Sequence, residues 1–457
     1  MTFIEDLASF AAAADAVDMD AADREALKVR ILDAVGCALG ALGADVPVKV
    51  RRAVDGLDGG RGACTLVGGG HAAPDHAALH NGALVRFLDF NDAYLAPGET
   101  CHPSDDLAAV LAAAEHTRAD GRDLLAGLAV AYQVQCRLAD EAPVRARGFD
   151  HAVHSAYAAA AGASRAMALD EERTADAVAM AATALNALRV TRTGVLSEWK
   201  GLAAPMAAAA ALQAVYLAAE GVTGPREAVE GTGGFRDAIA GPFAIDWASE
   251  RLDAVGATIV KKHNAEIHSQ SAIEALLELR ARHRFRGGEV ASIRLRTFQV
   301  AYDIIGGGRE GDKKRVRTKE EADHSLPYLL AVAALDGEVS PAQYQAKRIL
   351  RDDVQSLLRR VEVVADDDLS GRFPRAMPAR LEVRLRSGEV LEAARDDYPG
   401  FGTDPMDRVG AEAKFRRLAG KLGRGGQDAA IEAVWGLEDE GAEGLLARLT
   451  VPAVAAP

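Results

Sequence analysis

The stretch LDFNDAYLAPGETCHPSDD, Leu88 to Asp106, gathers Asp89, Asp92, His102, Ser104, Asp105 and Asp106 between two alanine-rich segments that read as helices. Carboxylates and an imidazole packed this closely in sequence point to a site rather than to packing. Their chemistry is proton transfer: an imidazole exchanges a proton near neutral pH, and a carboxylate orients it or neutralises a cation. By helical spacing Arg86, Asp89 and Asp92 share a face. Ser104 reads as an N-cap, and Asp105 and Asp106 sit at the positive end of the helix that follows.

Four other segments carry candidates. GFDHAVH places His151 and His154 at the entry to an alanine-rich helix. A helix N-terminus favours the neutral imidazole, the form a general base needs. No third ligand accompanies the pair, so no metal site is read there. Arg189, Arg192 and Lys200 lie in RVTRTGVLSEWK, before another alanine-rich helix. They form a candidate carboxylate clamp, Arg through its planar fork and Lys as a point charge. KKHNAEIHSQ holds Lys261, Glu266 and His268 where the helical texture gives way to a mixed one, a favoured place for ligand sites; His263 reads as polar linker. ADHSLPY begins a helix with Asp323 or Ser325 as cap and Pro327 in its first turn, and Tyr328 is either a proton donor or core. The run Gly306-Gly307-Gly308 to Lys313 lacks the Gly-Lys-Ser/Thr ending of a phosphate-binding loop and is set aside.

The elements that must position these groups are mostly helices. Apolar residues recur at three- and four-residue spacing near 24–43, 74–90, 104–118, 123–140, 152–168, 171–187 and 201–220. After about residue 269, period-two runs at Ser292–Arg296 and Leu381–Arg386 predict strands, with Ser387-Gly388 turning the second into a hairpin and Val361–Val364 as a further strand. Helices are expected among them at 269–284, 325–336 and 348–360, and again from 406 to 449. The reading is a mainly α protein: residues 1–265 with 406–457 as a helical domain, and 266–405 as an α+β domain with an antiparallel sheet.

Composition excludes several classes. A formal net charge of -14 offers no basic surface for nucleic acid. The first twenty residues carry acids and no Lys or Arg, so no targeting signal is read, and no uncharged apolar run reaches membrane-spanning length. The expectation is a cytoplasmic protein that binds no membrane. Cys37, Cys64, Cys101 and Cys136 suit neither a zinc knuckle nor an iron–sulfur cluster. A helical scaffold without catalysis would show a repeat period, and none is visible.

LDFND with HPSD, GFDHAV, LSEWKG, AEIHSQSAIEA and ADHSLPYLLAVAALDGEVSPAQY together resemble the MmgE/PrpD family along nearly the whole chain, with the last two closest to its 2-methylcitrate dehydratases. The resemblance implies a large helical domain built from both ends of the chain, a smaller α+β lid, a homodimer, an active site between the domains and no metal or organic cofactor. It implies catalytic roles for Asp89, His102, His151, Lys200, Lys261 and Tyr328, with His154 a rival to His151. Arg189, Arg192, Glu266, His268 and His154 are the candidate substrate contacts. The activity it implies is dehydration of 2-methylcitrate or a related tricarboxylate such as citrate. Decarboxylation of a cis-aconitate and epimerisation of a substituted succinate are the alternatives within the family. Glu266 stands where decarboxylase relatives have a histidine, and Ala93 where a threonine often follows LDFND.

Overall fold

The computed structural model describes residues 1–451. It resolves two compact units: Met1–Arg192 with Gly201–Thr258 and the chain from Asp407 onward, and Thr193–Lys200 with Ile259–Met406. The units divide at 258/259 and 406/407, where the sequence reading has 265/266 and 405/406, and Thr193–Lys200 groups with the second unit.

The first unit is helical: α1 (Phe3–Ala13), α2 (Ala21–Ala41), α3 (Asp45–Asp58), α4 (Pro74–Phe87), α5 (Leu107–Thr117), α6 (Gly121–Glu141), α7 (Ala152–Ala166), α8 (Glu171–Ala184) and α9 (Ala203–Ala219), then Arg408–Leu418, Gly423–Trp435 and Leu437–Arg448. Side-chain caps mark where several of them start. Thr2 and Glu5 form a capping box on α1, and the Asp120 carboxylate accepts from the Arg122 and Asp123 amides at the head of α6. Alanine supplies helix propensity and a slim profile. Every residue of α7 except Arg165 is buried. Each buried methyl contributes only about 0.8 kcal/mol, so the core depends on many of them packed closely. At the α6–α7 contact two glycines face each other: a Cβ on Gly127 would lie 2.6 Å from the Gly162 carbonyl oxygen, and the reverse is equally close. No side chain fits between these backbones.

Both ends of the chain meet in this unit. The ammonium of Lys414 on Arg408–Leu418 lies 2.6 Å from the carboxylate of Asp33 on α2, both fully buried. It also donates to the Phe90 carbonyl at 2.7 Å and sits 3.6 Å above the Phe90 ring.

The first unit carries two short strand pairs, β1 (Cys64–Thr65) with β2 (His71–Ala72) and β3 (Tyr94–Leu95) with β4 (Thr100–Cys101); the second unit has a four-stranded sheet of β5 (Val290–Thr297), β6 (Val361–Ala365), β7 (Ala379–Leu385) and β8 (Val390–Arg395), in the order β6-β5-β7-β8. Along β7, Ala379, Leu381, Val383 and Leu385 turn inward onto α10 (Gln270–His283) and its neighbours, while Arg384 faces out. The hairpin β7–β8 is antiparallel, but β5 and β6 pair parallel, so the sheet is mixed rather than antiparallel. The long connection from β5 to β6 supplies the crossover that parallel pairing requires, through the helices Leu326–Asp336 and Asp352–Leu358. His263 is buried, not a solvated linker: its Nε2 lies 2.7 Å from Glu274, which Lys262 also contacts. Against the upward push of burial, these two partners pull the Glu274 carboxyl down to about 2.

Candidate active site

Helix α4 ends at Phe87, and Asp89 adopts φ 52°, a left-handed backbone uncommon outside glycine. The turn takes Asp92 off the helix face expected for it. Arg86 nevertheless pairs with Asp89 at 2.6 Å and lies 3.5 Å from Asp105. The chain then runs through a two-strand pair, β3 (Tyr94–Leu95) and β4 (Thr100–Cys101), which delivers His102. Tyr94 donates to both oxygens of Asp140 on α6, and Glu99 accepts from the amide and the guanidinium of Arg145. The tip is therefore pinned on both sides of the imidazole.

His102 is buried, with Nδ1 2.7 Å from the Asp92 carbonyl oxygen. A carbonyl only accepts, so Nδ1 carries the hydrogen and the exchangeable position is Nε2. The orienting group at Nδ1 is thus a backbone carbonyl rather than a carboxylate. The Asp92 carboxylate accepts from the Ser104 hydroxyl (2.6 Å) and amide (3.2 Å) and from Tyr132 of α6 (2.7 Å). Ser104 is consequently not an N-cap. Asp105 and Asp106 do stand at the head of α5, and both are fully buried. Burial, opposed by the Arg86 charge, pushes the Asp105 carboxyl up to about 6; burial and the adjoining Asp105 push Asp106 well above the carboxylate range.

The second imidazole comes from the turn into α7. The amide of Asp150 donates to the Ala187 carbonyl and that of Arg189 to the Gly148 carbonyl, joining the two segments like a short strand pair. This sets Arg192 against Asp150, Nε to Oδ2 at 2.5 Å and Nη2 to Oδ1 at 3.2 Å. Nη2 also lies 3.3 Å from His151 Nε2. Against the upward push of burial, the Arg192 charge holds the Asp150 carboxyl well below its usual range. Burial, and then Arg192, hold His151 well below the ordinary imidazole value. The His102 and His151 rings meet edge-on, centroids 5.4 Å apart at 68°. His154 points elsewhere: its Nε2 donates to the Ala142 carbonyl at 3.0 Å, and Nδ1 is buried without a hydrogen-bond partner among the described residues. Geometry therefore favours His151 over His154.

The second unit gathers its own polar cluster. The Lys200 ammonium donates to Asp323 Oδ1 at 3.0 Å and lies 2.9 Å from His324 Nδ1; Lys319 holds the other Asp323 oxygen at 2.8 Å. Glu266 accepts from the amide and Nδ1 of His268 at 2.8 and 2.6 Å. The His268 ring packs against Phe298 and Phe373, and its Nε2 is buried without a hydrogen-bond partner among the described residues. Lys261 is fully buried. The clamp expected from Arg189, Arg192 and Lys200 is divided: Arg192 serves Asp150 and His151 in the first unit, and Lys200 belongs to the second.

Sequence reading missed Lys313 and His324. Ser325 donates to the Lys313 carbonyl at 2.6 Å, which ties the glycine-rich run to the start of the helix after Asp323-His324. Burial pushes the Lys313 ammonium down, opposed by Glu310 and reinforced by Lys200. The signal available for Lys313 was its basic character, masked by an incomplete phosphate-loop pattern. Tyr328 requires a correction in the other direction. Its hydroxyl donates to the Gln343 carbonyl, and its ring lies in the apolar core of the second unit. A phenol committed to a backbone carbonyl is an anchor, not a proton donor. Tyr328→Phe is expected to leave turnover within about twofold and to lower stability by about 1–3 kcal/mol, the cost of an unsatisfied buried carbonyl, read by denaturant titration.

Among the described residues no single helix is long and apolar enough to cross a membrane. The chain matches the model of the MmgE/PrpD N-terminal domain over residues 5–248 and of the MmgE/PrpD C-terminal domain over residues 263–439. It is 28% identical over 402 residues to a 2-methylcitrate dehydratase of Cupriavidus necator, spanning 81% of this chain and 80% of that protein. It is 29% identical over 350 residues to the mitochondrial 2-methylcitrate dehydratase of Yarrowia lipolytica, spanning 71% of this chain and 66% of that protein's length. An alkylcitrate dehydratase, phiI, of a fungal species is 27% identical over 430 residues, 85% of this chain and 82% of its own. With both family domains matched in order along its length, the chain belongs to the MmgE/PrpD family.

Proposed function

We propose that this protein is a hydro-lyase that dehydrates 2-methylcitrate, or a closely related tricarboxylate, to the conjugated unsaturated acid. The dehydratase names of its relatives support a lyase, and the tricarboxylate comes from those names and from the cations near both clusters. The observation that carries the reading is the pair of buried imidazoles with ring centroids 5.4 Å apart, one oriented by a backbone carbonyl and the other by an arginine. Dehydration removes a proton from a carbon beside a carboxylate and expels hydroxide from its neighbour. It needs a base, an acid, and cations to hold carboxylates and developing enediolate charge. In this proposal His102 and His151 are the acid–base pair. Asp89 holds Arg86 in place. Lys200, Lys261 and Lys313 neutralise substrate carboxylates, with Arg189 assisting and the Glu266–His268 dyad as a substrate contact. A homodimer without metal or organic cofactor is part of the same proposal.

The test is ultraviolet absorbance of purified protein with 2-methylcitrate, citrate or cis-aconitate separately, with mass spectrometry of the products and a chelator control. A rise with 2-methylcitrate that survives the chelator is expected. Carbon dioxide release or isomer formation from another acid would overturn the substrate and keep the family. No turnover and no thermal stabilisation by millimolar citrate would sink the hydro-lyase reading.

A further inference from the structure

The two histidines differ in what holds them, and the difference assigns their roles. We infer that Arg192 is a positioning residue: clamped on Asp150, it fixes the proton of His151 on Nδ1 and keeps Nε2 as the lone-pair nitrogen, which makes His151 the base and His102 the acid. The roles rest on the hydro-lyase reading; the tautomer does not.

A guanidinium has donors and no acceptor, so the 3.3 Å contact has one sense: Nη2 donates and His151 Nε2 accepts. An imidazolium cannot accept there. Protonating His151 therefore means breaking this bond and placing a second cation against a buried one. The bidentate grip of Asp150 keeps the guanidinium where it is, at 2.5 and 3.2 Å. His151 Nδ1 lies 3.8 Å from Asp150 Oδ1. The charged groups around His151 are Arg192, Arg189 and Asp150, and Arg86 with its carboxylate partners Asp89 and Asp105, with the His102 ring beside them. Burial and the adjoining Arg192 guanidinium outweigh the pull of Asp150 and disfavour a charged ring. His102 is held the opposite way, its Nδ1 donating to the Asp92 carbonyl, a partner that suits the neutral and the protonated ring alike. The acid role therefore falls to His102.

The step balances. A substrate carboxylate takes over the Nη2 N–H that pointed at His151 Nε2, while Arg192 stays held on Asp150 through Nε, and the freed His151 nitrogen takes the proton from the carbon next to the carboxylate. The C–H electron pair becomes the double bond, the C–O bond on the neighbouring carbon breaks, and the departing oxygen leaves as water with the proton of His102 Nε2. His151 ends protonated and His102 neutral, and proton exchange with solvent resets them.

The experiment combines nitrogen NMR of protein with labelled histidine and the pH profile of kcat/KM. In the unsubstituted protein His151 should be the neutral Nδ1–H form across the neutral range. Arg192→Gln removes a neighbouring cation, so the imidazolium becomes easier to form and His151 should titrate at least about one pH unit higher. The acidic limb of kcat/KM should move to higher pH by the same amount. Asp150→Asn with Arg192→Gln leaves no unpaired buried charge and should show a smaller shift of the same sign, which guards against misfolding of the single variant. A His151 that carries its proton on Nε2 in the unsubstituted protein, or NMR titration unmoved in both variants, overturns the inference. If the protein dehydrates no tricarboxylate, the hydro-lyase reading fails while the NMR titration still decides the role of Arg192.

Discussion

His151→Ala is expected to lower turnover by about 10²–10⁴-fold, the range contributed by a positioned general acid or base, in a protein that still folds. The substitution removes the ring that meets His102 but leaves Arg192 paired with Asp150, so no buried charge is stranded. The control is His154→Ala. That ring donates to the Ala142 carbonyl deep in the first unit, and its loss combines a cavity with an unsatisfied carbonyl. A cost of about 2–5 kcal/mol in stability is expected there, with the turnover of the protein that remains folded largely kept. Steady-state kinetics and denaturant unfolding on both variants separate the cases. Near-normal turnover in His151→Ala would remove it from the mechanism.

The largest stability effect is expected at Lys414→Met. The lysine is fully buried against Asp33, and truncating one partner of such a pair costs about 3–5 kcal/mol. Burial already pushes the Asp33 carboxyl up despite Lys414, and without the lysine it rises further. A carboxyl whose folded pKa is raised costs nothing below its unfolded value of about 3.9; the cost grows as pH rises from there toward the folded value and levels off above it. The deficit of Lys414→Met should therefore be small in acid and grow toward neutral pH. Asp33→Asn added to Lys414→Met should recover part of it and flatten the pH dependence. A deficit independent of pH in the single variant would show that lost packing, not the stranded carboxylate, dominates.

The helices were legible because alanine-rich amphipathic spacing is a local signal. The segment expected at 152–168 is observed as Ala152–Ala166, and that at 123–140 as Gly121–Glu141. The strand at Leu381–Arg386 was legible from its alternation, and Ser387-Gly388 from its turn chemistry. Strand direction was not, because the alternation of β5 and β6 is the same whether they pair parallel or antiparallel. At the site, residue types were legible and partnerships were not. Asp92 reads as one more acid, yet its backbone carbonyl holds His102 while its carboxylate holds Ser104 and Tyr132, which lies forty residues on. Arg192 and Lys200 are near neighbours in sequence, but the chain passes from one compact unit to the other between them. Tyr328 sits in a motif suggesting chemistry, and only its bond to the Gln343 carbonyl reveals an anchor.

The facing glycines of α6 and α7 bear on how this protein tolerates sequence change. Tyr132 on α6 holds Asp92 and, through it, His102; α7 begins directly after His151. The spacing of the two helices at Gly127 and Gly162 is thus also the gauge of the distance between the two imidazoles. A methyl group on either glycine meets backbone atoms, which cannot rotate out of the way as a side chain does, so the helices must part. Such a change touches neither histidine and leaves every polar group of the site in the sequence, yet it alters the alignment on which proton transfer depends. Variation at these remote glycines is therefore constrained by the chemistry as well as by the fold.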